Sequence, residues 1–227
     1  MRHIILALAL VFGLGNAQAS IEDLYQAEDY DAALAQARQE AAAGDPKAHD
    51  WLGWMIEQGR GTEPDPQAAA EHYRVAAAAG RNHARWRLGV LMDEGRIAGG
   101  SGQAVALFRL AAAENYANAL VSLGVMHATG RGTPKDFDAA YASYERAARL
   151  GDAGGMRGVA VMHYLGEGRP VDKAEAAAWF LLSAALGNEE ARSNAEQVAG
   201  ELGAADLEGV EDRAFAIAAE LGLDMGE

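Results

Sequence analysis

The sequence predicts an all-α solenoid in which about four to five helix pairs stack side by side. Four glycines recur at spacings of 36, 35 and 36 residues (95−59, 130−95 and 166−130), namely Gly59, Gly95, Gly130 and Gly166. The phrase Ala-x-x-x-Leu-Gly precedes each of the first three. A fixed period of this length is typical of repeat proteins, in which each repeat is one unit of a continuous stack.

The first 19 residues have the parts of a secretory signal peptide. Arg2 makes the start basic, an apolar run covers residues 4–14, and the small residues Ala17 and Ala19 mark a cleavage site before Ser20. The apolar run is too short for a permanent membrane anchor. We therefore expect cleavage between Ala19 and Ser20, and a periplasmic or secreted protein with no membrane-inserted segment after the signal is removed.

Composition narrows the classes of partner. The chain has 227 residues, of which 33 are acidic and 19 basic, so its formal charge is −14. Nucleic acids and anionic membrane surfaces both favour clusters of Lys and Arg, and this balance argues against either as a partner. The chain has no cysteine, so an exported fold must be held together by packing without disulfides.

A capping segment is predicted over residues 20–47. It begins with a short helix over residues 20–28, and a longer helix then starts at Asp29 and closes at Gly44, where a left-handed cap residue is expected. Small and apolar residues of the longer helix fall at helical spacing: Ala33, Leu34, Ala37 and Ala41. This segment is the second half of a repeat whose first half is missing.

Four full repeats follow, over residues 48–83, 84–118, 119–154 and 155–190. Helix A of a repeat carries a core leucine and then a glycine, and the missing side chain of that glycine lets a neighbouring helix approach closely. Helix B starts in most copies at an aspartate, whose carboxylate accepts the free amide hydrogens of the first turn. These aspartates are Asp29, Asp65, Asp136 and Asp172, and Gly100 stands in their place in the second repeat.

At one recurring position, helix B of each full repeat carries an aromatic residue near alanines: Tyr73, Phe108, Tyr144 and Phe180. Closely packed helices place large side chains of one helix against small residues of the other, so we expect these rings in the core.

After the fourth repeat the pattern decays into a C-terminal segment, residues 191–227. A last helix A is predicted over residues 191–200, and a capping helix over residues 204–221 with one apolar side: Leu207, Val210, Phe215 and Ile217.

The succession Ala-x-x-x-Leu-Gly, Gly-x-Gly, Asp, Ala, aromatic and Ala-Ala-x-x-Gly resembles the Sel-one-like repeat (SLR). This is an α/α solenoid family related to tetratricopeptide repeats, and the resemblance covers residues 29–200. It implies a right-handed superhelix whose A helices line a concave face. It also implies a role as adaptor or scaffold for other proteins. The sequence departs from the pattern at Ile97, which replaces the second loop glycine of repeat two.

One surface is a candidate protein-binding groove. If the A helices line the concave face, three tryptophans gather at its N-terminal end, and Trp and Arg are frequent at binding hot spots. The candidate residues are Asp50, Trp51, Trp54, Glu57, Trp86, Arg87, Val90, Val125, Arg157 and Tyr164. The tryptophans could instead pack between helices, and the sequence leaves both placements open.

No catalytic signature is present: the sequence lacks Ser-x-x-Lys, Gly-x-Ser-x-Gly, His-Glu-x-x-His and a phosphate loop. His127 and His163 occupy the same place in adjacent repeats. Equivalent atoms of packed helices lie about 8–10 Å apart, so we expect these histidines to replace a family aromatic and not to share a metal. No cofactor and no metal are expected.

The sequence thus predicts a monomeric, non-enzymatic scaffold or adaptor that binds a protein or peptide partner of the cell envelope in its groove. The alternative is a weak hydrolase acting on β-lactam or peptidoglycan material, a role reported for some secreted, cysteine-rich members of the family. This chain lacks those cysteines. A structural subunit of an envelope complex is a third possibility.

Overall fold

The structure, a computed structural model, describes residues 19–223. The predicted signal peptide lies outside this range, except for its last residue. Residues 19–223 form thirteen helices and no strand, which confirms the all-α repeat fold. The helices are α1 (Ile21–Gln26), α2 (Tyr30–Ala42), α3 (Pro46–Gln58), α4 (Pro66–Ala78), α5 (Asn82–Asp93), α6 (Gly100–Ala113), α7 (Ala117–Thr129), α8 (Phe137–Arg149), α9 (Ala153–Leu165), α10 (Lys173–Ala185), α11 (Glu189–Glu201), α12 (Ala204–Glu208) and α13 (Val210–Leu221).

Four A/B helix pairs form the body of the stack: α3 with α4, α5 with α6, α7 with α8 and α9 with α10. The lone B helix α2 precedes them, and α11 and α13 follow, each packed against α10. Helix A also contacts the next helix A at two places, α3 with α5 and α7 with α9, whereas α4, α6, α8 and α10 make no comparable contacts with one another. The A helices are therefore closer together than the B helices, and they line the inner side of the curve.

An aromatic ring of helix B lies against a glycine of helix A in each of the first three pairs: Tyr73 on Gly53, Phe108 on Gly89 and Tyr144 on Gly124. A Cβ atom on Gly53 would lie only 2.8 Å from the Tyr73 ring, and one on Gly89 would lie 2.6 Å from the Phe108 ring. Real Cβ atoms do not approach so closely, so the two helices can meet at this distance only because the glycine has no side chain. The predicted role of the Leu-Gly pair is confirmed.

The predicted aspartate caps also form. Oδ1 of Asp136 accepts the backbone N–H of Ala139 at 2.9 Å, and the other three aspartates cap their helices in the same way. Repeat two differs, because α6 is capped by Gly99 and not by Gly100. Gly99 has φ +144°, and a Cβ there would lie 2.7 Å from the Met92 side chain. This loop therefore requires glycine, while Ile97 fills the core beneath it at 4% exposure.

The predicted single helix over residues 204–221 is wrong, because Gly209 divides it into α12 and α13. The predicted apolar side is only half correct. Val210 and Ile217 are buried, but Leu207 and Phe215 are 40% and 62% exposed. The reason is that α13 packs on α10 through Val210, Ala214, Ile217 and Ala218, and Phe215 lies about 100° round the helix from Ala214.

Candidate functional site

Three aromatic residues form a cluster at the N-terminal end of the inner face. Trp51 and Trp54 lie three residues apart on α3 and therefore on one side of it. Their rings meet edge to face with centroids 5.7 Å apart, and Tyr25 of α1 packs on both, at 5.5 and 4.6 Å. All three side chains are half-buried. The tryptophans thus contribute to the core and also present surface.

That surface forms one wall of a pocket of about 390 Å³. The rest of the lining is charged or polar and comes from α1, from the start of α3 and from the residues that open α5: Glu22, Lys47, Asp50, Arg81 and His83. The lining therefore combines two indole faces with hydrogen-bond donors and acceptors. Pockets that bind ligands commonly have this composition, in which apolar walls supply contact and a few polar groups fix orientation.

Asp50 organises the polar side of this pocket. It is only 4% exposed. One carboxylate oxygen lies 2.7 Å from Nδ1 of His83, and the other accepts a bond from Nε of Arg81 at 3.4 Å. A buried carboxylate requires such partners because an unpaired charge is costly in the interior. Asp50 therefore positions Arg81 and His83 at the start of α5, where they form part of the rim of the pocket.

Glu57, about two helical turns after Asp50 on α3, is also buried. Its carboxylate accepts bonds from the Tyr73 hydroxyl at 2.9 Å, from Nε of Arg87 at 3.0 Å and from Nη1 of Arg96 at 3.1 Å. Burial, followed by the neighbouring Glu57 charge, raises the pKa of the Tyr73 phenol far above its ordinary value, so the phenol stays a donor. The carboxylate and Arg87 bind each other, joining repeat one to repeat two and leaving Glu57 no free surface for a partner.

Trp86 extends the aromatic surface towards the third repeat. Its Nε1 donates to Oγ of Ser122 at 3.0 Å, and the Arg87 guanidinium lies 5.0 Å from its ring centroid. The rings of His83 and Tyr116 flank it, each with its centroid 6.1 Å away. Trp86 does not line the pocket, and its link to the pocket is the ring of His83, which is part of the lining. Val90 packs on the same buried core cluster as Trp86 does.

The remaining candidates lie apart from the tryptophans. Arg157 forms an ion pair with Glu190 at 3.3 Å, and the Tyr164 hydroxyl donates to Glu201 at 2.9 Å. Both partners belong to α11, so these two side chains join the fourth repeat to the last helix A. Val125 packs against the C-terminal core cluster. The structure therefore brings Asp50, Trp51 and Trp54 into one pocket and leaves the later candidates outside it.

Sequence reasoning missed several residues of this site. Lys47 and His83 stand at the same place in consecutive repeats (83−47 = 36), and that spacing was a usable signal. Arg81 precedes α5 and is found only through its contact with Asp50. Tyr25 belongs to the lead-in helix outside the repeat, and no periodic pattern could have placed it on Trp54.

Within residues 19–223, no three or more His, Asp, Glu or Cys side chains are grouped to hold a metal. Nδ1 of His127 and Nδ1 of His163 are each buried without a hydrogen-bond partner there. No helix in this range is both long and apolar enough to cross a bilayer.

Stacked helix pairs with a pocket on the inner face define a helical repeat protein. A family model for the Sel1 repeat matches the chain four times, at residues 46–80, 82–116, 117–152 and 153–188. The chain belongs to the Sel1 repeat family. Proteins of this family generally mediate protein–protein interaction.

Solved structures share the architecture. A Sel1 repeat protein from Oxalobacter formigenes is 29% identical with a TM-score of 0.72, over 78% of this chain and 73% of that one. A protective antigen of uropathogenic Escherichia coli with the SLR fold is 23% identical (TM-score 0.53), over 83% of this chain and 49% of the antigen. An immunity protein from Pseudomonas aeruginosa is 16% identical (TM-score 0.58), over 90% and 83% of the two chains. No curated protein sequence is significantly similar to this chain.

Proposed function

We propose that this protein is an exported, monomeric, non-enzymatic scaffold or adaptor that binds a protein or peptide of the cell envelope on its inner face. The observation that carries the proposal is the pocket of about 390 Å³ walled by the half-buried Trp51 and Trp54. In this proposal one large apolar side chain of the partner enters the pocket and packs on the two indoles. Membership of a family of interaction proteins supports the proposal.

The chemistry of the pocket favours a peptide segment that is apolar at one residue and polar around it. The indoles are held by Tyr25 and by each other, so little side-chain entropy is lost when a partner binds. At the rim, the Lys47, Arg81 and Glu22 side chains are 54%, 43% and 57% exposed. They can bind backbone carbonyls, carboxylates or amines of the partner, while Asp50 keeps Arg81 in place.

Site-specific cross-linking in the native host tests the site. A photoreactive phenylalanine analogue replaces Lys47 at the rim in one strain and Leu110, which is 54% exposed on helix B, in a matched control strain. We expect a discrete adduct only from position 47, and we expect Trp51→Ala combined with Trp54→Ala to abolish it. Equal adducts from both positions, or an adduct that survives the double replacement, would contradict the proposed pocket.

The affinity of the captured partner provides a quantitative test. Trp54→Ala should weaken binding by about 2 kcal/mol or more, as truncation of a hot-spot tryptophan does. The matched control is Phe215→Ala, which removes an aromatic ring that is 62% exposed at the other end of the chain. A control variant that loses as much affinity would place the binding site elsewhere. Urea unfolding of both variants separates lost binding from lost folding.

Export forms part of the proposal, and the start of α1 supports it. The Ser20 backbone nitrogen and hydroxyl both donate to Asp23, at 2.9 and 2.7 Å, and these bonds lower the pKa of the Asp23 carboxyl. Cleavage before Ser20 would turn that nitrogen into an ammonium group, which is unfavourable at a helix N-terminus unless a carboxylate pairs with it. Mass spectrometry of the mature protein should find Ser20 first. Intact Met1 on protein recovered from the cytosol would contradict export.

The proposal also holds that the chain catalyses no reaction. Purified protein incubated with nitrocefin, or with isolated peptidoglycan, should give no turnover above buffer. Turnover that copurifies with the protein and disappears in the Trp51→Ala, Trp54→Ala variant would favour the hydrolase instead.

A further inference from the structure

Two histidines of the first full repeat face each other outside the pocket. His49 lies on α3 and His72 on α4, and their Nδ1 atoms are 3.0 Å apart. The ring centroids are 5.2 Å apart with an interplanar angle of 37°. Both side chains are half-buried, so each ring is held by its helix while one side remains open to water. Neither histidine lines the Trp51 and Trp54 pocket.

Two imidazole nitrogens at this separation can share a proton or bind one metal ion. A metal binds histidine nitrogen at about 2.0–2.1 Å. Two such ligands are about 2.9 Å apart if they meet the metal at a right angle, and about 3.3 Å apart in a tetrahedron. The observed 3.0 Å is closer to the right-angle value than to the tetrahedral one. The right angle belongs to the square-planar or tetragonal geometry of Cu(II) and Ni(II), two metals for which imidazole is a suitable ligand.

We propose that His49 and His72 form a two-histidine binding site for a tetragonal divalent transition metal, Cu(II) before Ni(II). The two Nδ1 atoms occupy adjacent corners of the coordination shell, and water occupies the remaining positions on the exposed side. Cu(II) comes first because it binds most tightly among the first-row divalent ions at a given nitrogen site. Zn(II) would require the rings to separate towards the tetrahedral distance.

The surroundings of the pair determine whether its nitrogen lone pairs are available. Burial, followed by the facing His49, lowers the pKa of His72, while Glu71 raises it and Arg38 lowers it. A neutral histidine can carry its proton on Nε2, which leaves Nδ1 free to bind. Metal binding to the neutral pair therefore moves the shared proton from Nδ1 to Nε2 of the same ring and releases none. Arg38, which lowers the pKa of His72, opposes a bound cation.

A metal at this position would link helix A to helix B of one repeat. The two helices are already fixed by the Tyr73 ring against Gly53, so the site exists in the folded chain before metal binds. The unfolded chain does not hold His49 beside His72, because 23 residues separate them. Metal therefore stabilises the folded state in proportion to its occupancy. This inference does not depend on the proposed function.

The test uses the full chain without an affinity tag, freed of metal by EDTA and dialysis. Excess Cu(II) should raise Tm by about 5 °C, Ni(II) by less, and Mg(II) not at all. The electron paramagnetic resonance spectrum of the Cu(II) form should show a tetragonal centre with hyperfine coupling to two nitrogens. His49→Gln and His72→Gln should each weaken binding at least about tenfold, while the matched control His127→Gln should bind as the wild type does.

Three results would overturn the proposal. One is that Cu(II) binds the His49→Gln, His72→Gln double variant as tightly as it binds the wild type. Another is that the wild-type spectrum shows no nitrogen coupling, and the last is that Cu(II) leaves Tm unchanged at millimolar concentration. In the last case the pair only shares a proton. The spectrum of the wild type needs no substitution, so the proposal remains testable even if a variant fails to fold.

Discussion

At the scale of single residues, the buried carboxylates of α3 determine how the first repeats meet. Asp50 and Glu57 are each 4% exposed. Asp50 binds Arg81 just before α5, and Glu57 binds Arg87 and Arg96 of the second repeat. Polar bonds of this kind have one favoured geometry, whereas apolar contacts tolerate sliding. We infer that the two carboxylates fix the register between repeats one and two, and with it the shape of the pocket.

Replacing Glu57 tests this inference. Glu57→Gln removes the charge that three donors share, and leaving Arg87 without its partner should cost about 3 kcal/mol of unfolding free energy. The matched control is Glu71→Gln on α4, which breaks an exposed pair with Arg74 and should cost no more than about 1 kcal/mol. Urea unfolding measures both. Equal losses would mean that Glu57 is not a structural link.

His163 should make the stability of the protein depend on pH. Burial is the main cause that lowers its pKa below the ordinary 6.5; Arg169 and Arg213 also lower it, while Glu175 and Asp172 raise it. The unfolded state then binds the proton more tightly than the folded state does. The contribution of neutral His163 to the free energy of unfolding is therefore complete above about pH 6.5 and is lost as the pH falls through the folded-state pKa.

The predicted result is a smaller loss of stability between about pH 7 and pH 5 in His163→Gln than in the wild type. Urea unfolding at the two pH values measures that loss. Titration of the His163 ring by nuclear magnetic resonance in the folded protein provides the control. A folded-state pKa at or above 6.5 would disprove the explanation whatever the variant does.

At the scale of elements, the contact between glycine and aromatic ring is the repeating unit of the fold. Helix A supplies a glycine, which has no Cβ, and helix B supplies an aromatic ring. The same contact occurs in three successive helix pairs. In the fourth pair the buried Ala160 stands one residue after Val159, where the other repeats have glycine after leucine. In the fourth repeat α9 and α10 still pack against each other although this pair of residues has changed.

Two glycine substitutions should have opposite effects. Gly124→Ala forces a Cβ into the Tyr144 ring and should destabilise the protein by about 1–3 kcal/mol. Gly102→Ala is the matched control, because Gly102 is helical and nothing lies within 4 Å of its added Cβ. It should stabilise the protein by up to about 1 kcal/mol, since alanine favours the helix. Thermal unfolding and urea titration measure whether each substitution raises or lowers the free energy of unfolding. A Gly124→Ala variant as stable as the wild type would refute the packing argument.

At the scale of the whole molecule, stability is distributed along a stack in which each repeat mainly contacts its neighbours. Such an array can lose one end while the other stays folded. The C-terminal end depends on α13, whose Arg213 binds both oxygens of Glu175 on α10 at 2.7 and 2.9 Å. Ile217 of the same helix is buried at 1% exposure.

Ile217→Ala should loosen the C-terminal end first. Removing this side chain should cost about 2–5 kcal/mol locally. In a Trp179→Phe background, fluorescence reports only the three tryptophans of the N-terminal repeats, while circular dichroism reports all helices. We expect Ile217→Ala to lower the dichroism midpoint more than the fluorescence midpoint, with the Trp179→Phe protein as control. Coincident transitions would show that the array unfolds as one unit.

The features that could be predicted are those that repeat. The glycines, the aromatic of helix B and the aspartate caps recur in step with the helix pairs, so each copy supported the interpretation of the others. The C-terminal segment has no second copy to compare, and the single predicted helix there is divided at Gly209. Spacing alone puts Leu207 and Phe215 on its apolar side, because spacing does not show that α10 is the surface that α13 covers.

The sequence by itself determined the class of fold, because helix, loop and cap are decided by residues within one turn of each other and the period repeats them. Only the tertiary structure decided what the inner face contains. The contacts of Asp50 with His83, of Glu57 with Arg96 and of Tyr25 with Trp54 join residues 33, 39 and 29 positions apart (83−50, 96−57 and 54−25). Such pairs meet only at one rotation and translation between neighbouring repeats. That geometry results from side-chain packing over the whole interface, and the spacing of a motif does not contain it.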